Sequence, residues 1–114
     1  MGVLIYGPRS IQFEDRLLTH LEIVIVNKFR RHEPFLMTWL EESPTGAQRA
    51  SMWMNPSAPI HFRYVGSRVP SINRDWVGLL ETEANGPGGL VVRDEDGALA
   101  HSSPNSRTSL SQAP

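Results

Sequence analysis

At 114 residues the chain has room for one domain around one modest core, and not for two. Hydrophobic residues make up 39% and charged residues 20%, a balance that excludes a disordered chain as a whole. A net charge of −1 and the lack of any cysteine exclude a general attraction to phosphate, disulfides, thiolate metal sites and a cysteine nucleophile.

Residues 3–6 and 11–13 read as two short strands about a turn at Gly7 and Pro8. Residues 1–13 carry no basic stretch and are broken by Pro8, so no secretory signal is expected there. The segment 15–34, DRLLTHLEIVIVNKFRRHEP, follows as a helix. Asp15 stands where an N-cap carboxylate accepts from the free amides of the first turn. Leu17, Leu18, Leu21, Val24, Ile25 and then Lys28 or Phe29 recur at helical spacing, with Leu18, Leu21, Ile25 and Phe29 as the core face. Arg30, Arg31 and His32 complement the macrodipole, and Pro34 disfavours helical geometry at Glu33. The β-branched run 23–26 argues for a strand, but length and end signals favour a helix. That run is far short of the about 20 residues a membrane span needs. A soluble, cytoplasmic protein without a membrane partner is expected.

Residues 35–40 read as a strand, EESPTGAQ as a turn, and 49–54 as the returning strand. There Ala50, Met52 and Met54 share one face, and Arg49, Ser51 and Trp53 the other. After NPSAP, Ile60, Phe62 and Tyr64 alternate with His61 and Arg63, the pattern of a half-buried strand. Asn73 caps a second helix with an apolar stripe of Trp76, Val77 and Leu80, NGPGG ends it, and 90–92 supplies a last strand. From Asp94 the sequence DEDGALAHSSPNSRTSLSQAP turns polar. The order β-β-α-β-β-β-α-β implies an α+β fold, a small mostly antiparallel sheet with two helices packed on one face. The domain is expected to span 1–93 and a disordered tail 94–114, so that truncation after Arg93 leaves the fold intact.

No reactive constellation emerges. The glycines of GPGG follow a helix, whereas phosphate loops precede one. His20, His32, His61 and His101 are dispersed without metal-ligand spacing, and His20 is expected to be partly buried or on the surface. No GxSxG elbow surrounds any serine, and Ser67 reads as a loop residue. The pairs Glu14 with Asp15, Glu41 with Glu42 and Glu81 with Glu83 fall at helix ends or turns, where carboxylates cap or face water. The reading therefore leans away from catalysis, with no catalytic, cofactor-binding or metal-ligating residue assigned and no cofactor expected.

The functional signal kept is a set of cations: Lys28, Arg30 and Arg31, with Arg63, Arg68 and Arg74 later in the chain. Arginine forks onto phosphate or carboxylate and stacks on aromatic rings, which Trp39 and Trp53 supply if exposed. Such a set suits a protein or nucleic-acid partner. Its plain role is to satisfy a helix end and decorate sheet edges.

The strings DRLLTHLEIVIVNKFRRHEPF and WMNPSAPIHFRYVGSRVPSINRDWVGLL, with a YG near the start, resemble a family of small actinobacterial proteins often labelled "ATP-dependent DNA ligase". The resemblance covers roughly residues 1–92 and implies no established activity. A ligase of that kind would adenylylate the lysine of a KxDG motif, whereas Lys28, the sole lysine, sits in NKFRR. No residue carries over as a ligase residue. The reading that results is a non-catalytic binding or regulatory module, with an accessory or remnant of DNA ligation as the alternative.

Overall fold

The computed structural model describes residues 1–103. Strands β1 (Gly2–Tyr6) and β2 (Arg9–Phe13) form a hairpin with Tyr6 opposite Arg9. Its two-residue loop begins with Gly7 at a φ of 58°, the left-handed backbone that such a tight return asks of its first residue. Helix α1 (Asp15–Arg30) comes next, then the hairpin of β3 (Phe35–Glu41) and β4 (Gln48–Met54), and β5 (Ile60–Arg63). Helix α2 (Arg74–Asn85) leads to two short strands, β6 (Leu90–Val91) and β7 (His101–Ser102).

The architecture is α+β, with two helices and mostly antiparallel strands. The strands divide between two sheets, one in the order β2-β1-β5 and one in the order β4-β3-β6, with β7 also paired to β3. Strands β6 and β7 lie along the same edge of β3 and run parallel to it, so the second sheet is mixed. Ser103 N donates to Gln12 O at 2.8 Å and ties the end of β7 to β2 of the other sheet. Gly89, at a φ of 79°, lets the chain enter β6, because a Cβ there would stand 2.4 Å from the backbone oxygen of Leu36.

The core face expected for α1 is present: Leu18, Leu21 and Ile25 are fully buried, with Leu17 and Val24 beside them and Phe29 half-buried at the end of the stripe. Strand faces match their alternation. Met54 is buried while Ala50, Met52, Ile60, Phe62 and Tyr64 pack partly against the core. Asn73 caps α2 as its position suggests, Oδ1 accepting from Asp75 N and Trp76 N at 3.0 and 3.3 Å. Among the described residues no helix is long and apolar enough to cross a membrane.

Two helix ends differ from expectation. Asp15 does not cap α1; the N-cap is Glu14 without a side-chain bond, and Asp15 Oδ2 instead accepts from Val65 N at 3.2 Å. At the other end the stop is built into the backbone before Pro34. Glu33 N donates to Lys28 O and His32 N to Phe29 O, with His32 at a φ of 57° where glycine is the usual occupant.

The described chain continues past Arg93. Residues 94–103 turn back on themselves, Asp94 N donating to Ala98 O and Arg93 bridging Leu99, and they bury Ala100 and Ser102 before β7 pairs with β3. Composition missed this because one small apolar residue, Ala100, fills the buried position while its neighbours face solvent. The rest of the expected tail, 104–114, lies outside the described residues.

Candidate functional site

The six cations singled out in sequence do not assemble on one face. Lys28 points inward: it is 8% exposed, donates to Asn85 Oδ1 at 3.0 Å, pairs with Glu33 Oε1 at 3.1 Å and lies 5.9 Å over the Phe35 ring. Arg31, exposed at the helix end, pairs with the same Glu33 oxygen at 3.2 Å. The bond from Lys28, aided by Arg31, holds the Glu33 carboxyl below the usual carboxylate range. Arg30 is exposed in the last turn. Arg63 ends β5, Arg68 stands in the 64–72 segment and Arg74 opens α2, all three exposed. The 64–72 segment meets α1 at Asp15, about 20 Å along the helix from Lys28 at 1.5 Å per residue. Of the two tryptophans proposed as stacking partners, Trp39 is 3% exposed and Trp53 58%.

A second polar cluster is structural. His20 is fully buried, stacked on Trp76 with ring centroids 4.3 Å apart. Its Nε2 accepts from Asn73 N at 2.9 Å, which leaves Nδ1 to donate to Arg16 O at 2.7 Å. Arg16 forks onto Glu95 at 3.2 and 2.7 Å and also donates to Ser71 O, while Asn73 Nδ2 donates to Glu95 Oε2 at 2.8 Å. The cluster ties the start of α1, the cap of α2 and the segment after β6 into one unit. Sequence reasoning missed it because it needs residues 16, 20, 73, 76 and 95, which come from three separate stretches of the chain.

These bonds, Arg16 first and Asn73 second, hold the Glu95 carboxyl down to about 2 from an ordinary value of 4.5. A carboxyl depressed by folding stabilises the native state fully above its unfolded value and loses that contribution as pH falls through its folded value. Melting temperature should therefore fall from pH 5 toward 2 more steeply in the wild type than in Glu95→Gln. Parallel acid melts of the two would refute this.

The pocket that gathers convergent polar groups lies between α1 and the 64–72 segment and has a volume of about 310 Å³. Asp15, Thr19, Glu22 and Ile23 line it from α1, at the spacing of one helix face. Opposite stand Tyr64, Arg68, Val69 and Pro70. Tyr64 Oη donates to Glu22 Oε1 at 2.6 Å, and burial followed by that carboxylate pushes the phenol well above its ordinary range. Tyr64 is thus held as a proton donor to Glu22. Thr19 Oγ1 donates to Asp15 O at 2.8 Å, so its hydroxyl is held as well. Val69, at 78% exposed, leaves apolar surface at the rim.

The arrangement offers two carboxylates and the one guanidinium of Arg68 beside an apolar wall, an excess of acid that is chemistry for holding a cation on an apolar stem. No nucleophile is set against a base in it. Among the described residues no group of three or more histidines and carboxylates is placed to hold a metal ion. The signal that could have found the pocket is the stripe Asp15, Thr19, Glu22, Ile23, which lies off the core face of α1; reading Asp15 as a cap hid it.

The family model described as Domain of unknown function (DUF7882) matches residues 1–95. No curated protein matches the chain, and no solved structure does.

Proposed function

We propose that this chain, which belongs to the DUF7882 family, is a non-catalytic cytoplasmic binding module that holds a basic side chain and its apolar flank from a protein partner in the pocket between α1 and residues 64–72. The observation that carries this reading is the pairing of Asp15 and Glu22 with the apolar wall of Ile23, Val69 and Pro70. A lysine or arginine satisfies both halves at once, its stem against the apolar wall and its charge beside the carboxylates. Tyr64 keeps Glu22 in position and leaves its second oxygen for the ligand.

The test titrates short peptides, each with one Arg or Lys flanked by apolar residues, into the full chain beside versions carrying Gln. The basic peptides should bind, and the Gln versions about ten-fold more weakly, the ratio for one lost charged hydrogen bond. Glu22→Gln, which keeps an acceptor for Tyr64 while removing the charge, should weaken the basic peptides by a similar factor. Equal affinity for both sets, or an unaltered response in the variant, would overturn the reading.

The ligase-labelled resemblance suggests instead a nucleic-acid partner, for which Arg30, Arg63, Arg68 and Arg74 are exposed. Gel shifts across several salt concentrations test it. Absent or salt-independent binding removes it, since each phosphate contact contributes about one unit to the salt slope.

A further inference from the structure

Among the described residues, strand β4 is an edge of its sheet, hydrogen-bonded to β3 on one side, and its register with β3 runs from Phe35–Met54 to Glu41–Gln48 without a bulge. Natural edges are blunted by shortness, proline, lysine or bulges, because an open row of amides and carbonyls recruits another strand. The edge β5 is only four residues long and turns His61 and Arg63 outward. The seven residues of β4, QRASMWM, contain no proline, no lysine and no acid, carry a single charge at Arg49, and expose Trp53 at 58%.

We infer that β4 pairs antiparallel with β4 of a second copy of this chain, with Ser51 opposite Ser51 on a two-fold axis. Residues opposed across an antiparallel ladder point to the same face. Keeping both cores on one side therefore sets Arg49, Ser51 and Trp53 of one copy against the same three of the other. Centring on Ser51 overlaps all seven residues and is self-complementary. Arg49 of each copy faces Trp53 of the other, placing a guanidinium beside an exposed indole twice. On the inner face, half-buried Ala50 meets half-buried Met52 of the second copy, covering apolar surface that the single chain leaves partly open. The apolar outer face of Leu36, Leu40 and Leu99 then continues from one copy into the next.

The chain's lack of cysteine makes the register directly readable. Opposed Cα atoms in an antiparallel pair stand about 4.5 or 5.5 Å apart, both within the span of a disulfide. Ser51→Cys should oxidise to a covalent dimer, while Thr82→Cys, exposed on α2, should form no covalent dimer under the same conditions. By sedimentation, the wild type should dimerise across the micromolar range. Ser51→Lys and Ser51→Glu should each raise the dissociation constant at least about ten-fold by like-charge opposition, and a one-to-one mixture should recover dimers. Ser51 is exposed and its side chain bonds Thr38 in the fold, so all three variants should keep the wild-type circular dichroism. A monomeric wild type at high micromolar concentration, cross-linking of Ser51→Cys no faster than of Thr82→Cys, or a mixture no more dimeric than its parts would each overturn the inference.

Discussion

Truncation after Arg93 should abolish cooperative unfolding, whereas truncation after Ser103 should leave the melting temperature within a few degrees of the full chain. Residues 94–103 supply Leu40 N with its acceptor at Ala100 O, Val92 O with its donor at Ala100 N, and Gln12 O with its donor at Ser103 N. Each bond contributes about 1 kcal/mol net, and more where its partner would remain buried. The same segment brings Glu95 to Arg16 and Asn73, fills the fully buried Ala100 position and provides a link between the two sheets. The combined loss is several kcal/mol, against a whole stability of roughly 5 to 15 kcal/mol for a domain of this size. Residues 104–114, PNSRTSLSQAP, contain one large apolar side chain and offer little area to bury. Thermal melts followed by circular dichroism separate the two truncations; unchanged cooperativity in both shortened chains would refute the assignment.

What the sequence revealed was local, and what it concealed depends on contacts between distant residues. Period placed both helices within a few residues, the Asn73 cap marked the start of α2, and alternation assigned the faces of β4 and β5, because each signal lies within one element. The division into two sheets could not be read that way. Strands β6 and β7 join β3 in parallel across dozens of residues, and nothing in LV or HS specifies that pairing. Residues 91–100 did carry a legible hint: VVRDEDGALA sets an Asp-Gly turn between two apolar runs, the mark of a hairpin, and the polar composition of the residues after it obscured the signal. For the site, the chemistry was visible and the geometry was not. Lys28 has the sequence look of an end-of-helix cation, yet its side chain falls on the buried side of α1 and is consumed by Glu33 and Asn85. Asp15 reads as a cap until the 64–72 segment is laid against it.

Ile25→Asp should leave the chain unfolded at room temperature, and the reason separates burial from helix chemistry. Ile25 is fully buried in the core cluster formed by α1, the strands and α2. The substitution removes its apolar burial and places an unpaired carboxylate among apolar groups, a cost of several kcal/mol even if the acid takes up a proton. That approaches the whole stability of the domain. Ile23→Asp makes the same chemical change two residues earlier, on the half-buried pocket side of the same helix. There the new carboxylate reaches water, so the fold should survive with a modest drop in melting temperature. Ile25→Val, which keeps the position apolar, should cost only about 1 kcal/mol. Circular dichroism melts of the three variants decide the matter. An Ile25→Asp protein as stable as Ile23→Asp would mean that the buried face of α1 has been misassigned, and with it the side of the helix on which the pocket lies.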